Sequence, residues 1–286
     1  MFKDVLLTVD YDRTLTDPNS EIPERNIRAI EYFMANGGTF TVNTGRGVPA
    51  IASFRNKVPV NAPYLVYNGA AFYDVKTDKL SNCCPIDMDG GALIAHLQEK
   101  FPEMTVEIQG ISGGYAMAKN PDWERYCDHN QYRWAYTTPE ELEKPFLKFA
   151  IYGKFLSERV ASLYEATEEE MRQYDEVVRY VLDYCGGKVD FFRACARLID
   201  FQAKGVSKIT AARKLQQDLG KKILVCVGDA ENDVAMLSGA DYAYCPADGV
   251  VADRYENVCN CADGAVADVI YKKIPEILGL TLDIKE

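Results

Sequence analysis

Five short apolar runs constrain the fold more than any other feature of the chain: VLLTV (5–9), TFTV (39–42), YLVY (64–67), ILVCV (223–227) and YAYC (242–245). Each is rich in β-branched or aromatic residues and each is ended by Asp, Asn, Gly or Pro, the pattern of strands buried on both faces of a parallel sheet. Helical patterns lie between them. One opens at Pro23, carries Ile27, Ile30, Phe33 and Met34 as an apolar stripe, and stops at Asn36-Gly37-Gly38. Another takes Ser207 as its N-cap, carries Ile209, Ala212, Leu215 and Leu219 on one face, and stops at Gly220. Strand and helix alternate at both ends of the chain, which predicts an α/β fold with an open, Rossmann-like parallel sheet.

The middle of the chain reads differently. Strand candidates come in pairs and carry more alternating polar residues: Thr105 to Ile108, Tyr115 to Ala118, Leu147 to Tyr152, Val177 to Tyr184 and Val189 to Phe192. Helical patterns fall around Ala92 to Lys100 and Ser157 to Tyr174, and the GG pairs at 113–114 and 186–187 read as hairpin-like turns. The expectation is an α+β domain, residues 85–195, inserted into a core formed by 1–84 and 196–286. The crossings fall near 83–86 and 194–197.

Composition narrows the function. A chain of 286 residues, 48% of them hydrophobic, can bury a sizeable core, and its length suggests two domains. The formal charge of -11 argues against a general nucleic-acid or anionic-membrane binder, since such partners are held by clustered Lys and Arg. An anionic substrate would have to be held locally. No run approaches the ~20 apolar residues of a membrane span and the N-terminus lacks the pattern of a signal peptide, so the cytoplasm is the default expectation. Nine cysteines without a CxxC pair, and only two histidines, indicate neither a disulfide framework nor a zinc site. Cys83-Cys84 and Cys259-x-Cys261 are read as structural.

In open α/β sheets the site lies beyond the carboxyl ends of the strands. Asp10 and Asp12 follow the first run, Thr44-Gly45-Arg46 the second, Asn68-Gly69 the third, and Gly228-Asp229 with Asn232-Asp233 the fourth. Asp10, Asp12 and Asp229 would then converge, and so much negative charge calls for a hard divalent cation. An all-oxygen site with room for phosphate and water suits Mg²⁺. The Thr44 hydroxyl, the Gly45 N–H, Lys208 near a helix start and the Asn232 amide are suited to a phosphoryl group.

Four ordered motifs, DYDRT (10–14), NTGR (43–46), KGVSK (204–208) and GDAEND (228–233), together with NGA (68–70) and the large insertion, resemble the haloacid dehalogenase superfamily, in its Cof-like branch of sugar-phosphate phosphatases. The resemblance spans nearly the whole chain. It implies that Asp10 is the nucleophile and that Asp12 is the general acid for the leaving group, then the base for water. It also implies that Asp10, the main-chain carbonyl of Asp12, and Asp229 bind Mg²⁺, with Asp233 as ligand or outer support. Thr44, Gly45, Lys208 and Asn232 would hold the phosphate of a small phosphorylated metabolite. The inserted domain would be a cap that closes over the site and selects the substrate. The chain departs from the pattern in carrying Arg13 where the family usually has Gly, Tyr11 between the aspartates, and AYCPADGVV (243–251) without the usual NA dipeptide.

Each motif alone has an ordinary reading, as a turn, a helix cap or a surface lysine; the joint pattern carries the inference. Arg46 is divided between phosphate contact and a cap-facing role. Lys119, Trp123, Arg125, His129, Arg133 and Trp134 are expected mostly to cover the cap core or its outer face. GRGVPA (45–50) satisfies G-x-G-x-x-A but follows the second strand, contains Pro49 and lacks the acidic partner of a dinucleotide site. A phospho-acceptor module is disfavoured by the insertion and by Asp12, and a phosphomutase with a similar core and cap is the remaining rival.

Overall fold

A computed structural model describes residues 1–142, 144–153 and 167–281. Its centre is a five-stranded sheet, all parallel, in the order Glu256–Val258, Tyr242–Pro246, Ile223–Val227, Val5–Val9, Thr39–Val42. Successive residues of one strand enter different cores, as expected of a sheet covered on both sides. Val5, Leu7 and Val9 join Ala29, Ile30 and Phe33 of the helix Glu24–Ala35, whereas Leu6 joins Ala212 and Leu215 of the helix Lys208–Asp218. The Phe33 ring lies so close to the chain that a Cβ on Gly38 would sit 2.4 Å from it, so the turn that follows the helix needs glycine there. Phe33→Ala would cost ~3–5 kcal/mol by the cavity it leaves.

Register sets up the site. Val9 pairs with both Val227 and Val42, so Asp10, Asn43 and Gly228 all emerge at one edge. The Asp10 N–H donates to the Val227 carbonyl at 2.9 Å and the Asn43 N–H to Val9 at 2.8 Å. The third expected strand differs from its expectation. Tyr64–Val66 meets the parallel sheet through an isolated Asn43–Leu65 bridge. It then turns through Tyr67 and Asn68, both at positive φ, into an antiparallel sheet with Ala71–Asp74 and Lys79–Ser81.

A separate six-stranded sheet runs in the order Val189–Cys195, Leu198–Ala203, Lys148–Tyr152, Thr105–Gln109, Gly114–Ala116, Trp134–Tyr136. One face buries Val106, Ile108, Phe149, Ile151, Ile199 and Phe201 against the helices Gly90–Lys100 and Glu168–Tyr184. The mixed α/β expectation, a parallel sheet plus a second sheet-containing unit, is what the structure has. Strand Leu198–Ala203 belongs to the second sheet, so the chain leaves that sheet after the crossing expected near 194–197.

Two expectations for the middle region are corrected. Val177 to Tyr184 is not a strand but the end of the helix Glu168–Tyr184: Tyr174, Val177, Val178 and Val181 are buried at helical spacing, and a Thr167–Glu170 capping box starts the helix. The β-branched run misled because three valines also satisfy a buried strand. Consequently Gly186 and Gly187, at φ +58° and +75°, connect a helix to a strand rather than two strands. Of the helix expected from Ser157 to Tyr174, residues 157–166 lie outside the described residues. The stretch 119–136, whose helical part sequence reasoning did not mark, contains the helix Pro121–His129 with Asn120 as N-cap. Trp123 from that helix is fully buried and donates its Nε1–H to Glu107 at 2.7 Å.

Candidate active site

Three elements bring four charged side chains into contact. Asp10 sits directly beyond the first strand, Asp229 and Asp233 follow Ile223–Val227, and Lys208 is the first residue of the helix capped by Ser207. Lys208 Nζ donates to Asp10 Oδ1 at 2.6 Å and to Asp233 Oδ1 at 2.7 Å. All four are nearly sealed from solvent, Lys208 at 2% exposure and Asp233 at 0%. The Asn43 amide donates to the Lys208 carbonyl at 2.8 Å and so ties the helix start to the neighbouring strand end. Thr14 donates to Asp229 Oδ1 at 3.0 Å, fixing that carboxylate from the first motif.

Carboxylate oxygens of Asp10, Asp229 and Asp233 lie within 4.8 Å of one another. Three carboxylates against one ammonium leave the cluster short of positive charge. Burial pushes the Asp10 carboxyl up to about 7, helped by Asp233 and Asp12 and opposed by Lys208. Burial likewise raises Asp229 well above the usual carboxylate range, with Asp233 and Asp10 adding to the effect. A hard divalent cation is the natural complement of this all-oxygen donor set. The three acids are not equivalent, however. Asp233 uses Oδ1 for Lys208, and its Oδ2 accepts the N–H groups of Asp229 (3.1 Å) and Ala230 (3.2 Å). Its oxygens are therefore committed to holding the loop and the lysine, which fits outer support better than direct ligation.

Asp12 faces the other way. Arg46 grips its carboxylate with two bonds, Nε to Oδ2 at 2.9 Å and Nη2 to Oδ1 at 2.7 Å, while Nη1 donates to the Asn130 carbonyl at 3.3 Å. Arg46 is thus a positioning contact for Asp12 that also reaches the segment after the helix Pro121–His129. Tyr11 supports it from below: its ring lies 5.7 Å from the guanidinium carbon and stacks on Phe54 with centroids 3.5 Å apart. Arg13, by contrast, is exposed and at φ +57°, a left-handed position that suits glycine and that the arginine occupies at a small cost.

Thr44 is buried, its hydroxyl accepting from the Arg46 N–H at 3.1 Å. Gly45 packs so tightly that a Cβ would lie 2.8 Å from Asn68 Oδ1, and its N–H has no partner among the described residues. Asn232 is half-buried in the Glu231–Asp233 turn beside Asp233. Sequence reasoning missed a second buried group on the neighbouring sheet. Lys148 Nζ donates to the Gly45 carbonyl at 3.1 Å and to Asp200 Oδ2 at 2.9 Å, and Asn68 Nδ2 donates to the same Asp200 oxygen at 3.1 Å. The available signal was a lone charge inside each of two strand-like runs, LKFAIY and LIDFQA.

Residues 7–263 match the family model of the haloacid dehalogenase-like hydrolases. The chain belongs to that family. It is therefore an enzyme of the hydrolase class, as the four motifs implied. Among curated proteins it is similar to the mannosyl-3-phosphoglycerate phosphatase of Pyrococcus furiosus, 24% identical over 280 residues, 93% of this chain and 98% of the relative. Solved haloacid dehalogenase-like structures share its fold. One from Bacteroides thetaiotaomicron superposes with a TM-score of 0.77 at 16% identity, covering 96% of this chain and 100% of its own. A subclass IIB sugar phosphatase of the superfamily superposes with a TM-score of 0.73 at 18% identity, covering 96% and 99%. No helix among the described residues is long and apolar enough to cross a membrane.

Proposed function

We propose that this hydrolase is a Mg²⁺-dependent phosphatase that releases phosphate from a small phosphorylated metabolite, a sugar phosphate, through an aspartyl-phosphate intermediate. The observation that carries the reading is the contact of Lys208 with Asp10 and Asp233 beside Asp229, a buried acidic cluster at the strand ends that combines metal-type ligands with a phosphate-type cation. The relatives named above as phosphatases support the same chemistry.

Asp10 attacks phosphorus, forming an acyl phosphate as the bond to the leaving oxygen breaks. Asp12, once it has exchanged one of its Arg46 contacts for a proton, gives that proton to the leaving oxygen while the remaining contact keeps it aimed. It then takes a proton from the water that attacks phosphorus and frees Asp10. Lys208, the Thr44 hydroxyl, the Gly45 N–H and Asn232 hold the phosphoryl oxygens. Asp10 and Asp229, with the main-chain carbonyl of Asp12, would hold Mg²⁺, and Asp233 would orient them. When bound, the ion neutralises charge on the transferring group. Residues 85–195, with the strand Leu198–Ala203 that completes their sheet, would act as the cap that excludes water.

The test is phosphate release from p-nitrophenyl phosphate and from hexose phosphates, with and without Mg²⁺. Asp10→Asn should abolish release by at least about a thousandfold while the circular dichroism spectrum stays native. Full activity in that variant, or in wild type stripped of divalent ions, would refute the assignment.

A further inference from the structure

The face of the six-stranded sheet opposite its two helices is polar where it meets the catalytic loops. Register places Gln202, Lys148 and Gln109 in one cross-strand row and Asp200, Ala150 and Glu107 in the next. None of the six exceeds 6% exposure. Some of this polarity is internally satisfied: Glu107 accepts from Gln109, Trp123 and Tyr132. The end nearest the active site is not. Neither polar atom of the Gln202 carboxamide has a partner among the described residues, nor do Asp200 Oδ1 and Asn68 Oδ1. An unfilled buried amide is unfavourable, and the strip adjoins Gly45, whose carbonyl Lys148 holds. The N–H of the same glycine has no partner among the described residues.

We propose that Gln202, Asp200 and Asn68 form the subsite for the substrate's leaving group, and that it takes a neutral polyhydroxylated group, a sugar or polyol. The proposal rests on the phosphatase reading above. A hydroxyl both donates and accepts, so it can satisfy a carboxamide and a carboxylate oxygen together. A leaving group bearing its own carboxylate or phosphate meets two carboxylates, Asp200 and Glu107, against the single ammonium of Lys148 in these rows, with Arg193 of the adjoining strand paired to Glu231, and is repelled. The ligand reaches these sealed atoms when the sheet and the catalytic loops separate, and its hydroxyls fill the unpaired positions as they close.

The experiment compares kcat/KM for the best of a panel of hexose phosphates, for the corresponding phosphorylated aldonate, and for p-nitrophenyl phosphate. Wild type should favour the hexose phosphate over the aldonate by roughly tenfold or more. Gln202→Leu should lower the ratio of hexose phosphate to p-nitrophenyl phosphate by roughly tenfold, the size of a lost hydrogen bond, mainly through KM. Circular dichroism checks its fold. If that variant does not fold, Gln202→Met, closer in shape, reads the same ratio. An unchanged ratio in a folded variant, or an aldonate preferred by wild type, overturns the subsite. A wild-type enzyme that releases phosphate from none of these compounds overturns the phosphatase reading instead.

Discussion

The parallel sheet and the six-stranded sheet bury their residues in opposite ways. In the first, the central strands Val5–Val9, Thr39–Val42 and Ile223–Val227 carry no charge and only the threonines Thr8, Thr39 and Thr41 as buried polar side chains, and the charged groups that matter begin just beyond the strand ends, at Asp10 and Asp229. In the second, one face is apolar and the other carries Lys148, Asp200 and Gln202 inside the strands themselves. Stability explains the first arrangement and does not explain the second, because buried polar groups add nothing to a core that apolar side chains could fill. Under the proposed function, polarity within the buried strands would serve recognition and polarity at the strand ends would serve chemistry.

The comparison can be broken at several points. At the strand ends, Asp12→Asn should lower turnover by roughly a hundredfold to ten-thousandfold, because an amide cannot exchange the proton; steady-state kinetics measures this. Within the sheets, two opposite substitutions should have opposite signs in urea unfolding. Leu6→Gln would bury an unpartnered amide in the parallel sheet and destabilise by about 3 kcal/mol or more. Gln202→Leu removes one and should leave stability unchanged or raise it by about 1 kcal/mol. Equal losses in both would erase the distinction. Arg46→Lys should cut kcat by roughly tenfold, more than it changes KM, because a lysine cannot make the two-pronged contact that aims Asp12.

The smallest effect is expected far from either polar face. Arg213 and the Leu224 N–H hold the Asp241 carboxyl below its ordinary value. A depressed carboxyl stabilises the fold above the ordinary carboxylate range, and that stabilisation is lost as pH falls through the depressed value. Asp241→Asn should therefore lower the neutral-pH stability slightly, by a few tenths of a kcal/mol after screening by solvent, seen as a small drop in melting temperature, and the difference from wild type should vanish in acid.

How much was legible follows the same division. Four of the five strands of the parallel sheet were readable because continuous apolar runs ended by Asp, Asn or Gly have few other meanings, whereas the polar edge strand Glu256–Val258 carried no such signal and YLVY belongs to the antiparallel sheet instead. The grouping of Asp10 with Asp229 followed because strand ends in such a sheet share an edge, whereas Asp12, expected to converge with them, is taken by Arg46 instead. Asp233 was identified, but its commitment to Lys208 and two backbone N–H groups depended on loop geometry that sequence does not encode. Arg46 stood between two roles until its contacts with Asp12 and Asn130 were visible. In the inserted region the valines of Glu168–Tyr184 satisfied strand and helix alike, and tertiary packing decided. Lys148 and Asp200 went unmarked because their partners, Gly45 and Asn68, are remote in sequence and meet them only through the apposition of two sheets.

Trapping the phosphoenzyme tests the central claim most directly. With radiolabelled hexose phosphate and Mg²⁺, acid quenching followed by peptide mapping should find label on Asp10 and none in Asp10→Asn. Label carried by another residue, or equal labelling of the Asp10→Asn protein, would contradict it.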